Sequence, residues 1–345
     1  MNTNRWDTEK AWAWYRAQPW LCGFNYVPST AINPIELWAA QTFDPATIGR
    51  ELGWAQRIGF NTLRVNLHYF AWEADAEGLL ERIDQFLGIA QGRGLSTMFC
   101  LFDDCSHFNE QPYHGPQRDP VPGVHNSGWT PSPGHAQVKD RAFWPKLEQY
   151  VRGVVGRFAG DNRVLLWDLY NEPGNSGMND SSGPLLRETF AWARAAGPKQ
   201  PLSSGVWTGD YRNPAAGSLT EMLLELSDVT TFHNYGELPD AEAEIEVLQA
   251  LGRPAICTEW MRRTGGSLFR THLPMFRRRQ VGCYFWGLIN GRSQTNFPWG
   301  SPQGAPEPAM WFHDLLRRDG TPYLPEEVQT IKSVLSEGPN SYTKI

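Results

Sequence analysis

Eight short apolar runs recur along the 345-residue chain, and longer amphipathic stretches separate them. The runs are almost continuously hydrophobic, as expected for parallel strands that are buried on both faces of a sheet. They span residues 21–27, 62–67, 95–102, 164–170, 202–207, 229–235, 255–260 and 282–289. The amphipathic stretches predict helices over residues 45–58, 79–93, 144–158, 185–196, 241–251 and 268–279.

Strands that alternate with helices indicate βα units around a parallel sheet. With eight strands, the sequence predicts a single (β/α)8 TIM barrel, an α/β fold, with residues 1–345 forming one catalytic domain. A doubly wound open sheet is the alternative, but no Gly-rich phosphate-binding turn follows the first strand.

The segment from Asp103 to Arg141 interrupts this alternation with a long run rich in Pro, Gly, His and aromatic residues. Loops of this length inside a compact domain are usually functional or disordered. Because the segment follows the third strand, we expect it on the C-terminal face, where the active sites of barrels lie. Its histidines, His107, His114 and His125, lack the close spacing of metal ligands, which favours surface or hydrogen-bonding roles.

Composition narrows the choice of partners. A net charge of -6 and a pI near 5.8 argue against nucleic acid or an anionic membrane as the partner. The 16 Trp residues exceed ordinary usage, so some of them are expected to stack on sugar rings while the others fill the core. Five Cys residues, with neither a CxxC nor a zinc spacing, indicate small buried side chains.

The polar N-terminus lacks the apolar centre of a signal peptide, and no apolar run reaches 18 residues. These features predict a cytoplasmic protein, although a secreted chain whose signal had been removed would share them. The sequence makes no prediction of the oligomeric state.

Two of the predicted strands end abruptly in a carboxylate. The run 164–167 leads into Asn171-Glu172-Pro173, and the run 254–257 leads into Thr258-Glu259-Trp260. Since the C-terminal ends of barrel strands meet at one face, two glutamates there suggest the carboxyl pair of sugar-bond chemistry.

These two segments resemble the acid/base and nucleophile motifs of clan A retaining glycoside hydrolases. Family 5, which contains cellulases and mannanases, is the closest likeness, and the resemblance extends from Gly23 to Trp311. It implies a retaining hydrolase of β-glycosidic bonds that works by double displacement, with Glu172 as acid/base and Glu259 as nucleophile.

Further strand-end residues match the family pattern in the expected order. Arg64 corresponds to an arginine that supports the nucleophile, and Asn171 to a residue that binds the sugar 2-hydroxyl. His233 and Tyr235 resemble a His-x-Tyr pair that supports the nucleophile and the subsite. Trp286 resembles the floor of the subsite that holds the sugar to be cleaved. Read from the residues alone, Arg64 could instead pair with a helix acid, and the aromatic residues could belong to the core.

Retaining chemistry requires one protonated and one ionised carboxyl group. We expect a less polar pocket and the nearby Glu259 charge to keep Glu172 protonated, and Arg64 to keep Glu259 ionised with a low pKa. This mechanism requires neither a metal nor an organic cofactor.

A second set of residues is predicted to contact the sugar with less support from the pattern. An aspartate could instead cap its loop, and a tryptophan could instead pack in the core. The set comprises Asn25, His68, Asp103, Asp104, Trp207 and Trp299. Arg262 and Arg263 could bind a charged sugar, but pairing with surface acids is favoured.

The 103–141 loop and a second Pro- and Gly-rich segment, 290–306, are expected on the same face. Together they could close one end of the cleft, which favours an exo-acting or oligosaccharide-specific enzyme. A transglycosidase with the same two glutamates is an alternative, as is a catalytically silent carbohydrate-binding barrel. The sequence makes no prediction of which sugar is bound.

Overall fold

The computed structural model describes residues 5–337 and forms a barrel of eight parallel strands. The strands are β1 (Cys22–Asn25), β2 (Thr62–Asn66), β3 (Ser96–Asp103), β4 (Val164–Asn171), β5 (Leu202–Ser203), β6 (Thr230–His233), β7 (Ala255–Trp260) and β8 (Gly282–Trp286). Their hydrogen-bonded order is β5-β4-β3-β2-β1-β8-β7-β6. A parallel bridge between Val206 and Phe232 joins the two ends of this order. The predicted (β/α)8 barrel is therefore confirmed.

Twelve α-helices are present in the described residues. They are α1 (Thr8–Arg16), α2 (Pro34–Trp38), α3 (Pro45–Ile58), α4 (Tyr69–Ala74), α5 (Ala76–Gln91), α6 (His135–Lys139), α7 (Trp144–Arg157), α8 (Gly183–Ala195), α9 (Leu219–Leu226), α10 (Leu238–Ala250), α11 (Phe269–Arg279) and α12 (Pro325–Ser336). The six predicted helices correspond to α3, α5, α7, α8, α10 and α11. The remaining six are short or lie near the chain ends, where periodicity is a weak signal.

Helix α3 shows how local sequence sets these elements. The Asp44 side chain accepts hydrogen bonds from the N–H groups of Ala46 and Thr47, and Pro45 occupies the first turn, where it needs no donor. The helix ends at Gly59, whose φ of 111° lies in the left-handed region. The next residues can then enter β2 directly.

The core has two parts. One large cluster fills the space between the strands and the helices that surround them. A smaller cluster, which includes Met98, Leu166 and Tyr284, also contains Ala11 of α1. The segment before α1 is anchored by the Trp6 N–H, which donates to Asp228 Oδ1 over 2.8 Å.

The fifth strand is shorter than the predicted run 202–207, because only Leu202 and Ser203 form its ladder with β4. The predicted first, sixth and eighth strands also run two or three residues beyond the ends of β1, β6 and β8. Within residues 5–337, no helix is long and apolar enough to cross a membrane. The one-domain prediction for residues 1–345 and the cytoplasmic location stay predictions.

Candidate active site

A cavity of about 490 Å³ opens at the rim formed by the C-terminal ends of the strands. Its volume lies in the range typical of small-molecule sites. Nine of the predicted site residues line it: Asp103, Asn171, Glu172, Trp207, His233, Tyr235, Glu259, Trp286 and Trp299. The rim of the barrel therefore brings together most of the residues that the sequence indicated.

Arg64 lies beneath this cavity and is completely buried. Its Nη1 donates to Asn25 Oδ1 over 2.8 Å and to Glu259 Oε1 over 2.9 Å. Its Nη2 donates to Asn171 Oδ1 over 2.6 Å and lies 2.7 Å from Asp168 Oδ2. A buried guanidinium must be paired, and these four partners satisfy it.

Glu259 projects from β7 and is held by two donors. Arg64 occupies Oε1, and the Tyr235 hydroxyl donates to Oε2 over 2.9 Å. The expected ion pair between Arg64 and the nucleophile candidate is present, and Tyr235 touches the same carboxylate. The side chain of Glu259 is thus fixed in orientation before any ligand enters.

Glu172 follows β4 directly and has a φ of 42°, a conformation that is unusual for a residue with a side chain. His233 Nδ1 lies 2.7 Å from Glu172 Oε1, and Asn175 Nδ2 donates to Oε2 over 2.5 Å. The thiol of Cys105 donates to the same Oε2 over 3.2 Å. One carboxylate oxygen each of Glu172 and Glu259, together with a ring nitrogen of His233, lie within 4.8 Å of one another.

The expected order of the two carboxyl pKa values differs from the one that the site produces. Burial raises the pKa of Glu172, but the hydrogen bond and charge of His233, together with hydrogen bonds from Cys105 and Asn175, lower it by more, so the net change is downward. The pKa of Glu259 is raised because burial and the Glu172 charge exceed the lowering by His233 and Arg64. The pKa of His233 is raised by both carboxylates despite its burial. These directions describe the free protein, and the assignment of the proton to Glu172 and of the negative charge to Glu259 stays a prediction.

Asn171 links Arg64 to Asp103. Its carbonyl oxygen accepts from Arg64, and its Nδ2 donates to Asp103 Oδ1 over 3.1 Å, which fixes the orientation of the amide. Asp103 Oδ2 accepts from the Trp129 indole N–H over 2.9 Å. Burial raises the pKa of Asp103 to about 7. This carboxyl group therefore changes protonation near neutral pH at the edge of the cavity.

Aromatic rings form much of the cavity wall. Trp286 meets Trp129 edge to face with ring centroids 5.7 Å apart. Trp299 is 43% exposed and contacts Tyr235 in the same geometry at 5.1 Å. The Trp207 indole N–H donates to the Pro173 carbonyl over 3.2 Å, which places its ring beside the Glu172 turn. These apolar faces suit the C–H faces of sugar rings.

Three predicted sugar contacts lie away from the cavity. His68 is fully buried, with Nε2 3.1 Å from the Pro131 carbonyl and Nδ1 accepting from the Phe70 N–H. Asp104 is fully buried and accepts from Tyr170, Ser182 and the Gly174 N–H, so it fixes its loop.

Asn25 supports Arg64 from below, and its Nδ2 donates to the Thr258 carbonyl over 2.8 Å. Hydrogen bonds within the protein occupy these three side chains, so this geometry gives no support to the prediction that they bind sugar.

The two arginines after β7 take different roles. Arg263 is buried and pairs with Glu327 at 2.7 Å. The prediction was a pair with a surface acid, but Glu327 is buried as well. The guanidinium of Arg262 lies over the Trp299 ring, 5.4 Å from its centroid.

Several site residues were not predicted. Asp168 is a charged residue within the otherwise apolar strand β4. An acid at such a position needs a buried partner, and this could have identified it as a second partner of Arg64. Cys105, Asn175 and Trp129 lie in loops and carry no comparable pattern. His313 follows β8 and lines the cavity, but no motif or periodicity in the sequence distinguishes it.

One group in the described chain could hold a metal ion, and it consists of Glu172, His233 and Glu259. All three side chains already contact one another or Arg64 and Tyr235.

The comparisons with known proteins agree with this geometry. A family model described as cellulase (glycosyl hydrolase family 5) matches residues 55–286. No curated protein sequence matches the chain.

Solved structures with the same fold include the GH5_18 protein of Streptomyces cattleya in complex with GlcNAc. It has a TM-score of 0.63 and 14% identity, over 91% of this chain and 79% of that chain. The exo-β-1,4-mannosidase of Opitutaceae bacterium strain TAV5 has a TM-score of 0.61 and 18% identity, over 92% and 60%. The endo-1,4-β-D-mannanase of Thermotoga petrophila RKU-1 has a TM-score of 0.57 and 14% identity, over 91% of this chain and 99% of that chain.

Proposed function

The chain belongs to glycosyl hydrolase family 5 and is a glycoside hydrolase, and we propose that it cleaves a β-glycosidic bond with retention of configuration. The observation that carries the proposal is the spacing of the two carboxylates, whose nearest oxygens lie within 4.8 Å. Retaining enzymes hold the pair about 5–5.5 Å apart, whereas inverting enzymes need roughly 6.5–9.5 Å to admit a water.

In the first step, Glu259 attacks the anomeric carbon and forms a glycosyl ester as the bond to the leaving oxygen breaks. Glu172 transfers a proton to that oxygen. In the free protein this proton is shared with His233 Nδ1, which lies 2.7 Å from Glu172. Arg64 and Tyr235 stabilise Glu259 when it is the free carboxylate.

In the second step, Glu172 accepts a proton from water, and the resulting hydroxide oxygen attacks the anomeric carbon. The ester bond to Glu259 breaks, and the electron pair returns to its carboxylate. Glu172 is again protonated, so the enzyme regains its starting state without a cofactor.

We further propose an exo-acting or oligosaccharide-specific enzyme. Two loop segments, residues 118–126 after β3 and residues 292–304 after β8, form a junction beside the cavity. The Asn126 N–H donates to the Ser293 carbonyl and the Gly304 N–H to the Pro122 carbonyl, each over 2.8 Å. Gln294 adds side-chain bonds to Gly123 and Val121. A junction of this kind would block the passage of a long polymer.

The proposal is tested with nitrophenyl β-glycosides, linkage-defined disaccharides and soluble cellulose, mannan and xylan. β-Mannosides come first, because two solved structures with this fold are described as an exo-β-1,4-mannosidase and a Manβ1-4GlcNAc complex. Proton NMR should show the β anomer as the first product, and Glu259→Ala should abolish turnover. An initial α anomer would overturn retention, and a rapid fall in polymer viscosity would overturn exo action. Transfer to an added sugar acceptor would instead identify a transglycosidase.

A further inference from the structure

Two buried histidines line the cavity and have no role in the mechanism above. His125 belongs to the loop after β3, and His313 to the segment after β8. They are only 4% and 1% exposed, and their ring centroids lie 5.5 Å apart. They form a continuous piece of wall where the two loops meet.

The hydrogen bonds of these rings fix their tautomers. His125 Nδ1 lies 2.7 Å from the Phe297 carbonyl oxygen, and His313 Nδ1 lies 2.7 Å from the Met261 carbonyl oxygen. A carbonyl can only accept, so each Nδ1 carries the hydrogen. Burial lowers the pKa of His125 to about 3 and that of His313 well below its ordinary value. Each neutral ring therefore presents Nε2 as a lone-pair acceptor.

The Nε2 atoms of the two rings are free of hydrogen-bond partners among the described residues. Within residues 5–337, neither makes a hydrogen bond, yet neither is among the buried polar atoms that lack a partner. Each must therefore retain some exposure. Because both residues are almost completely buried and line the cavity, we assign that exposure to the cavity.

The position of the pair relative to the nucleophile identifies which sugar it would meet. The His313 ring lies 5.6 Å from the Tyr235 ring, and Tyr235 donates to Glu259. A sugar bound covalently to Glu259 would therefore extend toward His313 and His125. This sugar is the glycone, the part retained in the first step.

We propose that His125 and His313 form an acceptor pair that selects the glycone by accepting hydrogen bonds from two of its hydroxyl groups. The proposal rests on the retaining glycosidase function above. Because the pair only accepts, it requires hydroxyl donors, and it gives no favourable partner to a carboxylate or phosphate on the sugar. The expected glycone is an uncharged sugar with free hydroxyl groups on the side away from the cleaved bond.

The test uses monodeoxy and deoxyfluoro derivatives of the nitrophenyl β-glycoside that the enzyme cleaves fastest. Removing a donor from a buried acceptor should lower kcat/KM by about 5–150-fold at one or two positions. Fluorine cannot donate, and it withdraws electrons from the oxocarbenium-like transition state, so the deoxyfluoro sugar should lose at least as much activity as the deoxy sugar. If fluorine restored activity, the imidazoles would be donors and the proposal would be wrong.

Histidine-to-asparagine variants assign the contacts. In His125→Asn and His313→Asn the amide nitrogen can replace Nδ1 at the carbonyl, while the cavity acceptor is removed. In these variants the loss of kcat/KM caused by removing the contacted sugar hydroxyl, which we call the deoxy penalty, should fall to about twofold or less. The reason is that the imidazole acceptor of that hydroxyl is already absent. His125→Gln and His313→Gln can place an amide oxygen near the Nε2 position and should restore part of the penalty. Unchanged penalties in both asparagine variants would contradict the pair.

His68→Asn is the matched control, since His68 is a buried imidazole at a backbone carbonyl that does not line the cavity. It should keep every wild-type deoxy penalty, and thermal denaturation reports whether each variant is folded. Failure of the proposed function is distinguishable from failure of the histidine pair, because in the former case the wild type cleaves no glycoside at all. In that case calorimetric binding of methyl glycosides and their deoxy forms to wild type and His125→Asn tests the pair without turnover.

Discussion

At the scale of single residues, Arg64 organises the site. One guanidinium binds the amide oxygens of Asn25 and Asn171 and the carboxylates of Asp168 and Glu259. Five N–H donors in a rigid plane make this possible, and a lysine could not reproduce it. Since Arg64 and Asp168 are both fully buried, each needs the other.

Replacing Arg64 should therefore affect both stability and activity. Arg64→Met leaves Asp168 as an unpaired buried charge, and breaking such a pair costs about 3–5 kcal/mol. Urea denaturation measures this loss. As a control, Arg152→Met removes an exposed pair with Glu148, for which about 0.5 kcal/mol or less is expected. A loss below about 1 kcal/mol in Arg64→Met would contradict the central role of the pair.

His233 should set the pH range of activity. Its imidazole lowers the pKa of Glu172 through a hydrogen bond and that of Glu259 through its charge. His233→Ala removes both effects, so both pKa values should rise. Activity requires one carboxyl group ionised and the other protonated, so the acidic limb of kcat/KM reports the lower pKa of the pair and the alkaline limb the higher one. Both limbs should therefore move to higher pH.

The control for this prediction is His233→Asn, in which an amide donor near the Nδ1 position can keep a hydrogen bond without a charge. Its pH profile should shift less than that of His233→Ala. Profiles of kcat/KM across pH 4–9 for the three proteins decide the matter. A shift of the His233→Ala profile to lower pH would show that the imidazole acts in the opposite sense.

The catalytic residues were predictable where a strand end positions them. Arg64, Asn171, His233, Glu259 and Trp286 follow from the register of the strands and the family resemblance. The protonation order was not predictable, because it depends on His233 lying 2.7 Å from Glu172 and 3.6 Å from Glu259. Such differences arise from side-chain packing, which the residue pattern does not encode.

At the scale of elements, the junction of the loops after β3 and β8 shapes the cavity. Their backbones approach closely at Gly123, which has a φ of 78°. A Cβ there would lie 2.6 Å from the backbone nitrogen and oxygen of Ala305. Glycine is therefore required at this position for two reasons, conformation and contact.

A pair of glycine variants separates these reasons. Gly115 in the same loop also has a positive φ, 93°, but a Cβ there would meet nothing within 4 Å. Both Gly123→Ala and Gly115→Ala introduce backbone strain of about 1–2 kcal/mol. Only Gly123→Ala should also push the loops apart, lower kcat/KM and increase proteolytic cleavage within residues 118–126. Equal effects of the two variants on kcat/KM would show that loop contact does not shape the site.

The strands and long helices were predictable because hydrophobic periodicity depends on local sequence. The loop contacts were not, as His68 and Asp104 illustrate. Both follow strands at the catalytic face, and this position suggested sugar binding. In the structure, hydrogen bonds to the Pro131 carbonyl and from the Ser182 hydroxyl make them stabilise the loops instead. Those partners lie 63 and 78 residues away in sequence, beyond the reach of any local pattern.

At the scale of the whole molecule, buried carboxyl groups make stability depend on pH. Burial raises the pKa values of Asp103, Glu244 and Asp314 to about 7. The folded protein therefore binds protons that the unfolded chain releases near pH 4. The stability from these groups is complete below their unfolded pKa values and is lost as pH rises through about 7.

Asp314 is the clearest place to test this dependence, because it is fully buried and does not line the cavity. Its Oδ1 accepts from Thr295 over 2.7 Å, while Oδ2 has no partner, and its φ of 60° suits asparagine. A pKa rise from 3.8 to about 7 corresponds to on the order of 4 kcal/mol. Asp314→Asn should therefore be more stable than the wild type at pH 8.5 and similar to it at pH 4.5, as measured by thermal denaturation.

Asp319→Asn provides the control with the opposite sign. Asp319 is fully exposed, and hydrogen bonds from Thr321 lower its pKa, so its contribution to stability is present above the unfolded pKa. This variant should be no more stable than the wild type at pH 8.5. If Asp314→Asn gained nothing at pH 8.5 relative to pH 4.5, the ionised Asp314 would have to be stabilised within the fold. The loss of stability with rising pH would then come from Asp103 and Glu244 alone. Replacing those two residues would remove it.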